Sequence, residues 1–196
     1  MNLAPPDLPL ESERLILRDY VARDWRAVHR YNARAAFWRY LPIEPQTPET
    51  TKAFIAVALE QQRQRPRVQY NLAAVLRSSH TVIGGARIGI TGAGEASLGY
   101  AFDPDHWGQG CATEAVRRLV ALGFEHFGLH RISAVCDPGN TGSIRVLEKA
   151  GMRREGLLRQ NLLVRGKWRD SYLYAVVEGD LRQFRRTPAK PPLTEG

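Results

Sequence analysis

The sequence predicts an α+β fold, and two observations carry that prediction. Apolar residues recur at helical spacing through the first third of the chain, then give way to short runs separated by glycine- and serine-bearing turns. From position 95 onward, strand and helix signals alternate as β-α-β-α-β, after a stretch of consecutive strands. Early helices, an antiparallel meander and one mixed unit form an α+β order, whereas strict alternation would point to a dinucleotide-binding parallel sheet.

Residues 3–10 are rich in proline and read as an extended arm, and Glu13-Arg-Leu-Ile-Leu-Arg18 sets a short apolar run between charges as a first strand. From Asp24 through Tyr40, the residues Trp25, Val28, Tyr31 and Phe37-Trp38 fall at roughly helical spacing. Leu41 to Pro48 is a loop punctuated by prolines, and Thr47 or Pro48 starts a helix carrying Phe54, Ile55, Ala58 and Leu59. Strands are expected over 70–76, 82–90 and 95–102, with turns at Ser78-Ser-His80 and Thr91-Gly-Ala-Gly94. A helix from Ala112 presents Ala115, Val116, Leu119, Leu122 and Phe127 on one face. Arg131 to Cys136 is a strand, Asp137-Pro-Gly-Asn140 turns the chain, and Asn140 caps a helix ending near Ala150-Gly151. Two strands close the fold, Met152 to Leu163 and Arg169 to Val177, giving one domain over 1–186 and a mobile proline-rich tail over 187–196.

Composition narrows the classes. At 43% hydrophobic and 24% charged residues the chain is that of a globular protein. No apolar run approaches a membrane span and the N-terminus lacks the features of a signal peptide, so a soluble, cytoplasmic protein with no membrane partner is expected. Cys111 and Cys136 have no metal-ligand spacing, and reduced, partly buried thiols with no metal are expected. For Cys111 a small packing residue at a helix start is favoured over a nucleophile. A net charge of +8 suits an anionic partner such as a polyphosphate cofactor. The arginines are scattered and no nucleic-acid motif interleaves them, so no direct nucleic-acid partner is expected.

The densest functional signal is Asp105-His-Trp-Gly-Gln-Gly-Cys-Ala-Thr-Glu114, placed between a strand and a helix. Glycines let backbone approach closely, and the first amides of a helix lack internal partners, so such a loop can hold phosphate. It is neither a G-x-G-x-x-G nor a lysine-bearing P-loop, so backbone would do most of the holding.

With its companions, this segment resembles the GCN5-related N-acetyltransferase (GNAT) superfamily, and within it the ribosomal-protein N-terminal acetyltransferase (RimJ/RimL-type) group. The resemblance rests on four ordered segments spanning nearly all of the chain but its tail. They are Glu13 to Arg18; Leu98-Gly-Tyr100 running into Trp107 to Ala115; His130-Arg-Ile132 with Asp137 to Ser143; and Arg145 to Gly151 leading to Glu155-Gly156 and Gly166 to Asp170. It implies a mixed, mostly antiparallel sheet of six to seven strands, splayed at the cofactor site and flanked by about four helices. It also implies acetyl-CoA as cosubstrate, its pyrophosphate on Trp107, Gly108, Gln109, Gly110, Cys111, Ala112 and Thr113. Trp107 stands where the superfamily usually has a polar residue, as is common in this group. The pantetheine arm would run along the strand holding Tyr100 and Phe102, although core packing accounts equally well for Tyr100. Asn140 would touch the cofactor, and Lys149 would reach the adenosine phosphate or simply face solvent.

Acetyl transfer to an amine needs a neutral amine, stabilisation of the oxyanion and a proton for the departing thiolate. By resemblance Ser143 is the leaving-group acid, with a plain first-turn residue as the competing role. Two glutamates that relatives use as bases fall here at Ser97 and Leu162. Glu95, Asp103, Asp105, His106 and Glu114 suit surface or turn roles better, and Asp170 is a candidate for the substrate cleft. An α-amine, with a pKa of about 7.7–8.0, is far more often neutral at pH 7.4 than a lysine at about 10.4. A missing base therefore favours a protein or peptide N-terminus as acceptor, by direct attack in a ternary complex. A small amine such as an antibiotic or polyamine, or a silent acetyl-CoA-binding module, are the alternatives, and a homodimer is left open.

Overall fold

The computed structural model describes residues 2–180. The domain limit expected at 186 and the tail expected from Thr187 lie outside the described residues. The strands are β1 (Leu10–Glu11), β2 (Leu15–Asp19), β3 (Gln69–Leu76), β4 (Val82–Gly92), β5 (Glu95–Phe102), β6 (Arg131–Cys136), β7 (Arg153–Val164) and β8 (Lys167–Val177). The helices are α1 (Trp25–Asn32), α2 (Ala35–Trp38), α3 (Pro48–Arg63), α4 (Cys111–Glu125) and α5 (Thr141–Lys149), with a further helical turn at 178–180. All strands join one sheet in the order β1-β2-β3-β4-β5-β6-β8-β7. The eighth strand is β1, which the proline-rich arm contributes by pairing Leu10 with Leu17 and Glu11 with Ile16.

The helical stretch expected over 24–40 is broken. Arg34 has extended backbone (φ −82°, ψ 134°) and its guanidinium is drawn to Asp103 and Asp105, at 3.1 and 2.9 Å. The chain folds back there, so Phe37 meets Tyr31 with ring centroids 5.1 Å apart. The other expected helix starts hold. The Thr47 side chain accepts from the Thr50 amide, and Asn140 accepts from the Ser143 amide at 3.0 Å.

Strand parity builds two cores. Leu15 and Leu17 of β2 and Tyr70, Leu72 and Ala74 of β3 pack with Ala115, Val116 and Leu119 of α4. The alternate residues Ala73 and Val75 face the other way, toward Val28 and Tyr31 of α1 and Ile55 and Ala58 of α3. The sheet is thus covered on both faces, as period-two alternation of apolar residues allows. Among the described residues no helix is long and apolar enough to cross a membrane.

Every neighbouring strand pair is antiparallel except β5 and β6. That parallel pair holds over three positions only, Glu95 with Arg131, Ala96 with Ile132 and Ser97 with Ser133. Beyond Ser97 the strands part. The sheet therefore opens between the C-terminal ends of β5 and β6, as the family resemblance implies.

Candidate active site

Two things meet at this opening: the N-terminus of α4 and the N-terminus of α5. Gly108 and Gly110 carry φ of 74° and 86°, the left-handed region where a side chain is strained. Gly110 ends the loop and α4 begins at Cys111, with the Glu114 amide bonded to the Gly110 carbonyl at 3.0 Å. The amides of Gly108 through Thr113 donate to no protein acceptor among the described residues. A Cβ on Gly108 would meet nothing within 4 Å, so the backbone there is open to approach. Unspent amides at a helix start beside an accessible glycine fit the diphosphate of a coenzyme A thioester.

The loop is held from outside by a residue to which the sequence assigned no role. Arg14, just before β2, donates from Nη1 to the Gln109 carbonyl at 2.5 Å and from Nε to Glu114 at 2.9 Å. Its backbone amide donates to the other Glu114 oxygen at 2.7 Å. Burial pushes the Glu114 carboxyl up, but hydrogen bonds from Ser12 and Arg14 outweigh it and hold the group below the usual carboxylate range. The Trp107 indole, half exposed, donates to the Phe102 carbonyl at 2.7 Å and ties the loop to the end of β5. The Gln109 side chain donates to the Asp105 carbonyl at 3.0 Å. Phe102, Cys111 and Thr113 have buried side chains, which leaves backbone as what they present. Cys111 is a free thiol pushed up by burial, which fits the packing role.

On the opposite side, the Tyr100 hydroxyl lies 2.7 Å from Ser143 Oγ and 3.1 Å from the Ser143 carbonyl. Tyr100 is therefore neither plain core nor isolated, and it bridges β5 to the first turn of α5. Burial pushes its phenol well above the ordinary value, only partly offset by the Ser143 bond, so it is protonated at neutral pH. Burial likewise raises the neighbouring Cys136 thiol to about 11. Lys149 ends α5 with an exposed side chain, and its carbonyl accepts from Arg117.

The carboxylates that sequence reasoning weighed as bases are occupied or distant. Asp103 is buried and paired with Arg34, and Asp105 shares that arginine. Glu95 lies at the far end of β5 from the opening. Asp170 accepts from the Gln160 amide across the β7–β8 hairpin at 2.8 Å, a structural bond. Asp137, at the exit of β6, is held by Arg169 at 3.3 Å. His106 lies 3.8 Å from Asp103.

Residues 14–153 match the family described as acetyltransferase (GNAT) domain. An uncharacterized N-acetyltransferase of Bacillus subtilis, YnaD, is 31% identical over 86% of this chain and 96% of its own. The [ribosomal protein uS5]-alanine N-acetyltransferase of Escherichia coli is 27% identical over 89% and 93%. Among solved structures, Mycobacterium smegmatis RimJ in complex with CoA-disulfide superposes with a TM-score of 0.76 at 27% identity, covering 85% of this chain and 83% of that one. Spermidine N-acetyltransferase from Vibrio cholerae, with CoA and spermine, shares the fold with a TM-score of 0.72 at 19% identity, over 85% and 97%. With the split sheet, the amide-lined loop and a family match over most of its length, the chain belongs to the GNAT N-acetyltransferases, enzymes that transfer acetyl to an amine.

Proposed function

We propose that this enzyme acetylates the N-terminal α-amine of a protein or peptide from acetyl-CoA. The observation that carries the reading is that Asp103, Asp105, Asp137 and Asp170, the carboxylates beside the opening, each have an arginine or a backbone amide as partner. An acceptor that deprotonates by itself near neutral pH suits such a site. Acetyl-CoA supplies the activated acetyl thioester. The amides of Gly108 to Thr113 would hold its diphosphate, with Lys149 in reach of the adenosine end, while Asn140 and the strand through Tyr100 and Phe102 line the arm. Ser143 would donate the proton to the leaving sulfur, with the Tyr100 hydroxyl 2.7 Å from its Oγ holding that side chain in place. The uS5-alanine relative supports an N-terminal acceptor, and the spermidine enzyme marks the small-amine alternative.

Thiol release with a free-N-terminus peptide, an N-blocked lysine peptide and spermidine tests this. At pH 7.4 the α-amine is expected to be favoured by roughly 200- to 300-fold in kcat/KM, from the neutral fractions. Ser143→Ala should lower kcat by about 100-fold or more. Unchanged turnover in that variant removes the acid assignment, and a lysine or spermidine as best acceptor overturns the α-amine reading.

A further inference from the structure

Outside the cofactor cradle, the most unusual feature is a hollow of about 460 Å³ lined by Ala35, Ala36, Trp38, Arg39, Arg165 and Arg169. Three guanidinium groups line it, and no carboxylate does. Its position is fixed by contacts with both parted strands. Arg34, the residue before α2, reaches Asp103 and Asp105 just past β5. Arg169 of β8 reaches Asp137 just past β6, and a Cβ on Gly139 would lie 3.5 Å from the Tyr40 ring. The hollow thus lies at the mouth of the opening, and Asp137, the partner of Arg169, stands three residues before Asn140.

The charge there is poorly compensated. Arg165 sits in the hairpin turn at φ 48° and donates only to carbonyls, those of Trp38, Leu41, Ile43 and Arg39. The Arg39 guanidinium makes no hydrogen bond or ion pair among the described residues and lies 5.2 Å from the Tyr40 ring centroid. Only Arg169 has a carboxylate, and it shares itself with the Arg39 carbonyl at 3.3 Å. The Trp38 indole N–H is buried without an acceptor. Carbonyl dipoles fix the direction of a guanidinium but do not neutralise it, so donors remain for an oxyanion. A polycation would meet net repulsion in the same place.

We propose that this hollow is an anion subsite for the acceptor, and that the preferred amines carry a carboxylate or acidic side chain within a few bonds of the nitrogen. In a peptide this means aspartate or glutamate just after the first residue. The inference rests on the N-terminal reading above, and adds to it which N-termini are taken.

The test uses four-residue peptides with free N-termini, bearing two glutamates or two lysines at positions two and three. Thiol release gives kcat/KM, and fluorescence anisotropy of C-terminally labelled copies gives binding to the CoA-loaded protein. The acidic peptide is expected to be better by tenfold or more in kcat/KM, the scale of a hydrogen bond to a charged group. Arg39→Glu, at a side chain that holds no other element in place, should reverse or erase the preference and leave the melting temperature within a degree or so. An N-blocked lysine peptide with the same acidic residues separates the two readings. If it is the best substrate, the α-amine reading fails and the anion subsite stands. If the acidic peptide binds without turnover, the subsite stands and the acetyl acceptor lies elsewhere. If the lysine-rich peptide binds and reacts as well as the acidic one, or Arg39→Glu changes nothing, the subsite is overturned.

Discussion

Removing Arg14 should damage cosubstrate binding from outside the glycine loop. The side chain is 44% exposed, so its ion pair with Glu114 belongs near the surface scale of about 0–1 kcal/mol. The bond to the Gln109 carbonyl ties the loop itself, and with Glu114 it fixes the direction in which the following amides point. A charge-assisted bond of this kind, discounted for exposure, contributes about 1 kcal/mol. Arg14→Ala should therefore weaken acetyl-CoA binding by about 1–2 kcal/mol, or roughly 5- to 30-fold in KM and in the Kd for CoA. The turnover number should hold within about twofold, because no reacting atom is touched. Arg14→Lys keeps the charge but not the forked geometry, and should recover only part of the loss. The assay is initial-rate thiol release with acetyl-CoA varied, beside calorimetric titration of CoA. Acidity gives a second reading. The Glu114 carboxyl is held below its ordinary value of 4.5, so the strap is complete above that value and is lost as pH falls through the lowered one. CoA affinity should thus show no change from this group between pH 5.5 and 8. An Arg14→Ala protein with unaltered KM and Kd, or with its loss confined to kcat, would refute the reasoning.

Two further outcomes follow from the same geometry. For an α-amine peptide, kcat/KM should rise about tenfold per pH unit below about 7.7–8.0 and then level. Burial holds Tyr100 protonated above its ordinary value of 10.0, so no descending limb is expected up to pH 10. A rise completed near pH 6 would reveal an enzymic base. In the scaffold, a Cβ on Gly84 would sit 2.7 Å from the Ala101 carbonyl and from the Phe102 ring. Gly84→Ala should cost about 1–3 kcal/mol and lower the melting temperature by roughly 2–12 °C, read by calorimetry.

Much of this was legible in the sequence because the relevant signals are local. Asn140 is a cap by its own chemistry, Gly108 and Gly110 need only a tight loop before a helix, and β5 and β6 emerge with the expected ends. What escaped depends on distance along the chain. Arg14 meets Gln109 from 95 residues away, and no periodicity announces it. Tyr100 and Ser143 stand 43 residues apart and are joined only by the packing of α5 on the sheet. The break at Arg34 is likewise long-range, since local spacing favoured one helix and the pull of Asp103 and Asp105 ended it. The arginine hollow needs α2 and the β7–β8 turn at once, so scattered arginines read as ordinary surface.

The three-position seam between β5 and β6 has a mechanical consequence. Two well-hydrogen-bonded half-sheets, β1–β5 and β6–β8, share a short zipper, so the easiest sub-global opening of the molecule runs along it. Any ligand that bonds to both free strand edges acts as a splint, stabilising the union of the halves as well as itself. Amide exchange at Leu98–Phe102 and Ala134–Cys136 would then slow together when CoA binds, far from the diphosphate. In that sense a cosubstrate bound there would complete the sheet whose gap admits it.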